Sequence, residues 1–136
     1  LNRTTWWSEG LAEFVAHGQC FARGLDNVAG RPASDRPALA DILHLDYDKG
    51  GEMVYSWSYT VHRFLSETGR GASWLAMARA LRNPDQQQAM SAFEAELDAL
   101  IANDSEAYQQ WLGRELLPWW EANKESEECK ANDSAH

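Results

Sequence analysis

No apolar run in this sequence approaches the roughly 20 residues that a membrane-spanning helix requires, so no transmembrane segment is expected. Basic residues are scarce: 12 Lys and Arg stand against 21 Asp and Glu, a formal net charge of -9. Such a chain repels phosphate backbones and anionic membrane surfaces, which disfavours nucleic-acid binding. No segment alternates apolar and polar residues between turn signals as a strand would, and there is no internal repeat or low-complexity tract. Cysteine is limited to Cys20 and Cys129, and neither has a Cys or His partner at ligand spacing, which argues against a cysteine-held metal site. The two are left open as free thiols or as one long-range disulfide suited to an oxidising compartment, since spacing alone cannot pair them. An initiator Met is also missing: the chain begins at Leu1, which is expected of a cut or processed end, with any upstream signal peptide out of view.

What is present points to a single soluble globular domain that is nearly all helical. Hydrophobic residues make up 44% and charged residues 24% of 136 residues, enough for one core and too few for two ordinary ones. An amphipathic helix is predicted from Thr5 to about His17, capped at Thr4 or Thr5, with Trp7, Leu11, Phe14 and Val15 along one face and Gly18 as its stop. An irregular excursion follows to about Lys49, broken by one short helix from Pro37 to His44. A core helix is predicted over Met53 to Thr68 on Val54, Trp57, Val61, Phe64 and Leu65. Three more are expected: Ala72 to Leu81, Asp85 to Ala102, and Ser105 to Leu117, with Pro118 kinking or restarting the last. The domain is expected to span residues 1–123, and residues 124–136, without a large apolar side chain, to form a polar tail or linker.

The first helix breaks local rules. Glu13 falls about 40 degrees round the wheel from Glu9, one turn on, so two like charges are neighbours with no Lys or Arg at helical spacing to offset them. The rest of that face is Gly10, Ala12 and Ala16, small residues that would admit another helix closely, and only His17 could supply a nearby cation. Two glutamates opposite an apolar stripe are most often the wet side of a surface helix. The whole string Trp6-Trp7-Ser8-Glu9-Gly10-Leu11-Ala12-Glu13-Phe14-Val15, however, resembles the glutamate helix of the bacterial collagenases, which are secreted zinc endopeptidases of the gluzincin type. That family's pattern is an aromatic pair, a variable residue, Glu-Gly-x-Ala-Glu and an aromatic.

The resemblance implies that Glu9 is a zinc ligand, the carboxylate that joins two histidines from an H-E-x-x-H helix and leaves one position for water. It implies for Glu13 a supporting role, accepting the second N–H of a ligating histidine. Asp46-Tyr47-Asp48, followed by a glycine turn and Tyr55-Ser56-Trp57-Ser58-Tyr59, resembles the next segment of the same family, where Tyr47 matches a catalytic tyrosine that steadies the oxyanion; a half-buried loop tyrosine is the bland alternative. Tyr55 and Tyr59 read as packing residues. The likeness carries recognisable motifs from Thr5 to Thr68 and only helix pattern from Ala72 to Trp120.

The departure is the absence of H-E-x-x-H: His17, His44, His62 and His136 lack the required spacing. The fold implied is therefore mainly α, the helical C-terminal half of a gluzincin (thermolysin-like) peptidase domain, inactive alone because one carboxylate cannot hold zinc against water. His17 with Glu13 would make at best an opportunistic zinc site. Zinc is expected as cofactor only in the complete domain, and calcium is left open. The partners implied are the missing H-E-x-x-H half and a protein or peptide substrate, with collagen or gelatin among the options, and the implied location is extracellular. Two other readings stand beside this one: a non-catalytic helical module, in which Glu9 is an ordinary surface residue, and a degenerate peptidase scaffold. On the truncation reading, the chain alone should expose apolar surface and either dimerise or be partly molten.

Overall fold

A computed structural model describes residues 3–134, with the side chains of Lys49 and of residues 131–134 left out. His136 and the end of the expected tail lie outside the described residues. No strand occurs among those described, and the order is α1 (Thr5–His17), α2 (Ala22–Ala29), a 3-10 turn (Ala33–Asp35), α3 (Leu39–Leu43), α4 (Tyr47–Gly50), α5 (Met53–Glu67), α6 (Gly71–Ala80), α7 (Gln86–Trp111), a π turn (Leu112–Leu116), α8 (Leu117–Asn123) and α9 (Glu127–Ser134).

α5 is the axis of the fold. Along it Val54 and every residue from Ser56 to Leu65 are buried, polar ones included, because α1, α2, α3, α6 and α7 all pack on it. Polar groups on a helix buried all round mostly find partners, and on α5 they do so apart from the Ser58 hydroxyl. Thr60 Oγ1 meets the Trp57 carbonyl and the Tyr108 hydroxyl, each at 2.6 Å. Arg63 is 1% exposed, and its guanidinium donates to the Gln19 carbonyl at 2.7 Å, pairs with Glu67 and lies 4.2 Å over the Trp119 ring. Tyr59 donates to the Gly18 carbonyl at 2.7 Å. These last two bonds hold the exit of α1, where Gly18 takes φ +58 and ends the helix as its sequence position predicts.

Several expectations are corrected. The stretch before Lys49 is not irregular, since α2 buries Leu25 and Val28 and α4 forms one turn before the Gly50-Gly51 bend, in which Gly51 has φ +53. The two helices expected over Asp85–Leu117 are one. Asp85 caps it by accepting from the Gln88 N–H at 3.0 Å, and the Asn103-Asp104-Ser105 stretch does not end it because Asp104 accepts from Arg70 (2.9 Å) and Ser105 bonds back to the Ile101 carbonyl (2.6 Å). Pro118 has no N–H to give and its ring crowds the preceding turn. The chain widens into the π turn just before it, where the Leu117 N–H bonds to the Leu112 carbonyl, and the helix then resumes as α8. Thr4 sits at the N-cap of α1 but makes no side-chain cap bond.

Cys20 and Cys129 are joined in a disulfide with their α-carbons 5.0 Å apart, and both are buried. The bridge fastens α9, within the segment expected as a polar tail or linker, beside α2, across 109 residues of sequence.

Candidate functional site

α1 runs beside α5 along most of its length, and Gly10 is the reason the two approach closely. A β-carbon at Gly10 would lie 2.5 Å from both C and O of Ser58 and 2.9 Å from the His62 ring. Of the small residues on the first helix, Gly10 is thus used inside the chain, while Ala12 and Ala16 are exposed. Val15, expected on the packed face, is 75% exposed, and the buried face is formed instead by Trp6, Trp7 and Gly10 with Leu11 and Phe14 half-buried. The aromatic pair is covered by the chain itself. Trp6 and Trp7 pack on His62, Trp74 and Phe93.

With its first two turns anchored in this way, α1 presents Glu9 half-exposed at the surface. The Tyr47 hydroxyl, carried by α4, donates to Glu9 Oε1 at 2.5 Å. Two residues singled out from separate motifs, 38 positions apart, therefore meet. The Glu9 carboxylate bonded to the phenol pushes the Tyr47 pKa above its ordinary value of 10. Tyr47 itself is an exposed residue, 57% accessible, and not the half-buried one the bland reading supposed. One turn on, Glu13 pairs with His17 Nε2 at 3.1 Å, and the His17 ring stacks on Phe21 with centroids 4.6 Å apart. Glu13 thus faces His17 rather than Glu9's phenol.

Beyond Glu13 the surface opens into a cavity of about 450 Å³ lined by Glu13, His17, Phe21, Arg23, Glu52 and Tyr55. Glu52, absent from the sequence-based candidates, accepts from Arg23 (3.2 Å) and Asn27 (3.3 Å), tying α2 to the start of α5. Tyr55 borders the cavity and is partly exposed, whereas Tyr59 is fully buried, so only the second is a packing residue. Among the described residues no group of three or more His, Cys, Asp or Glu side chains is placed to hold a metal ion. Glu9 fits the carboxylate member of a zinc ligand set, with an oxygen, Oε2, beyond the one held by Tyr47. Among the described residues, no cluster of three metal-binding side chains supplies the nitrogen ligands of such a set.

The family model that matches this chain is that of the collagenase peptidases, family M9, over residues 1–111. The chain belongs to that family. The match takes in every helix from α1 through α7, so the Glu9–Tyr47 pair lies within it. A curated relative is the microbial collagenase of Vibrio parahaemolyticus serotype O3:K6 (strain RIMD 2210633), 27% identical over 109 residues. The alignment covers 70% of this chain and 12% of that protein, so the chain spans only a small part of the relative's length. No solved structure gives a significant match. Among the described residues, no helix of this collagenase-family chain is long and apolar enough to cross a membrane.

Proposed function

We propose that this chain is the part of a secreted zinc endopeptidase domain that carries the glutamate zinc ligand, Glu9, and part of the substrate-facing wall. The observation that carries the reading is the bond between Tyr47 and Glu9, which brings together the residues matching the family's ligand glutamate and its oxyanion tyrosine. Zinc bound in such a site polarises the scissile carbonyl and activates water. This chain's own contributions are narrower. Glu9 offers Oε2 while Tyr47 fixes Oε1, so the carboxylate is oriented before any ion arrives. Tyr47, protonated at neutral pH and exposed beside Glu9, has a hydrogen bond to redirect to an oxyanion that develops nearby. Glu13, one turn from Glu9, is placed to accept an N–H from an incoming histidine if it gives up His17.

On this reading the chain alone is inactive and awaits an H-E-x-x-H segment, with a protein or peptide as substrate and the extracellular space as its setting. Calcium has no assigned place in it. The test reads the parent gene upstream of Leu1 and, if it encodes an H-E-x-x-H segment, joins the two and measures zinc content and gelatin cleavage with and without Glu9→Ala. About one zinc per chain and cleavage, both lost in the mutant, are expected. Zinc and cleavage unchanged by Glu9→Ala would leave a helical module, a reading favoured by the way the chain closes its own aromatic core.

A further inference from the structure

Of the buried ionisable groups, His62 has no part in the proposed chemistry, yet its surroundings are more constrained than those of any candidate site residue. Its ring is 1% exposed and lies between Trp6 and Trp7, with centroids at 5.1 and 4.9 Å. Both nitrogens are engaged. The Trp74 indole N–H donates to Nδ1 at 3.1 Å, and Nε2 lies 2.9 Å from the Trp7 carbonyl. An indole N–H only donates, so Nδ1 accepts, and Nε2 must carry the ring's one hydrogen and donate it to Trp7. The tautomer follows from the partners. His62 also stands beside Gly10, where α1 and α5 are closest. One ring thus joins α1 by the Trp7 carbonyl, α6 by Trp74, and α5 by its own backbone.

We infer that His62 is the positioning residue of the Glu9 helix: the neutral Nε2–H imidazole locks the Trp6–Gly10 turn of α1 onto α5 and α6, and protonation of the ring releases it. A second proton on Nδ1 would point at the Trp74 N–H, donor against donor, and would place a charge in an aromatic box. The groups around the ring are Trp6, Trp7 and Gly10 of α1 and Trp74 of α6, with Phe93 of α7 behind the two indoles. None is charged. Acidic and basic side chains on α1 and α5 are committed elsewhere: Glu9 to Tyr47, Glu13 to His17, and Arg63 to Glu67 and the Gln19 carbonyl. Indole faces attract a cation, but burial outweighs them and the flanking Trp7 and Trp6 carbonyls, holding the pKa down to about 4 from 6.5. An unfolded ring takes its proton near 6.5 and the folded ring only near 4. The stability contributed by the lock is therefore whole above about 6.5 and declines as pH falls toward 4.

The consequence for Glu9 rests on the reading of Glu9 as a zinc ligand, but the lock does not. It is tested on the chain as it stands, by following the His62 ring nitrogens by NMR and acrylamide quenching of tryptophan between neutral pH and about pH 3. An Nε2–H tautomer at neutral pH is expected, with quenching that rises reversibly as pH falls toward 4. His62→Gln keeps one donor and one acceptor but takes no proton, and it should lack that rise. A ring that titrates near 6.5, an Nδ1–H tautomer, or the same rise in wild type and a folded His62→Gln would overturn the lock. Where the variant does not fold, the wild-type ring signals decide alone. Zinc retained in Glu9→Ala would sink the proposed function and leave the lock standing; a normally titrating His62 would do the reverse.

Discussion

Gly10 lies with its α-carbon against the Ser58 carbonyl, so that a β-carbon there would meet the Ser58 C and O at 2.5 Å. In an unconstrained helix, exchanging Gly for Ala stabilises by about 1 kcal/mol. Here the added methyl collides with backbone, which no rotamer change can move aside, and overpacking costs typically 1–3 kcal/mol or more. The clash wins. Gly10→Ala is expected to lower the urea unfolding free energy by roughly 1–3 kcal/mol, while Ala12→Ser, on the exposed face, stays within about 0.5 kcal/mol. Near-equal midpoints for the two variants would mean that α1 is not seated on α5 as described.

Arg63 tests whether the buried polar seam of α5 matters as much as its apolar one. Its guanidinium satisfies the Gln19 carbonyl and Glu67 and covers Trp119. Arg63→Met keeps much of the stem's packing but leaves a carbonyl and a carboxylate without their donor, and removing one partner from a buried pair costs roughly 3–5 kcal/mol. Glu67 is partly exposed and can turn to water, so a loss of about 2–3 kcal/mol is expected. The Arg63→Met, Glu67→Gln double variant should lose less than the sum of the singles. Strict additivity in a double-mutant cycle would mean that the pair is not coupled.

Reduction of the Cys20–Cys129 bridge frees a loop spanning 109 positions. Chain-entropy arguments assign a closure of that size up to roughly 4–5 kcal/mol. α9 has no large apolar residue to hold it once the bond is gone, whereas α1 through α8 keep the aromatic core. Cys129→Ser is therefore expected to lower Tm and to expose the segment after Asn123 to proteolysis, with the helical signal of the rest retained. A protease-resistant C-terminus in the reduced chain would show that α9 is held by something besides the disulfide.

The long-period features of this fold were legible in its residues. Thr5–His17, Met53–Glu67 and Gly71–Ala80 fall within a residue or so of the helices expected from apolar spacing, because each presents a stripe long enough to outvote local noise. α2 and α4 were not legible. α2 is only eight residues long with Gly24 inside it, and α4 is a single turn set by Gly51 at positive φ and by packing against α5. The join of α7 across Asn103-Asp104-Ser105 depends on Arg70, 34 residues away, which no local window can weigh. The same limit applies to the site. Glu9 and Tyr47 could be named from their motifs, but their contact could not, and His62 carried no motif at all. Its place follows only once α1, α5 and α6 have come together.

The Tyr47–Glu9 bond makes a prediction that needs no metal and no partner. The carboxylate accepts from the phenol, so ionising the phenol breaks the bond and sets two negative charges side by side. Both effects raise the Tyr47 pKa, the hydrogen bond most, with desolvation of the phenol contributing next and the Glu9 charge after it. The contact is present below that raised pKa and is lost as pH rises through it. Phenolate absorbance of wild type should show one exposed tyrosine titrating later than the ordinary value of about 10, and Glu9→Ala should return it toward that value. Tyr47→Phe should remove that one Glu9-dependent step and so identify it. The other tyrosines help to separate the signals: Tyr59 and Tyr108 are also raised, by burial, and Glu9 is not among the causes of either shift. If Glu9→Ala leaves every tyrosine titration where it was, the phenol and the carboxylate do not meet in solution, and the structural support for pairing them in one site is gone.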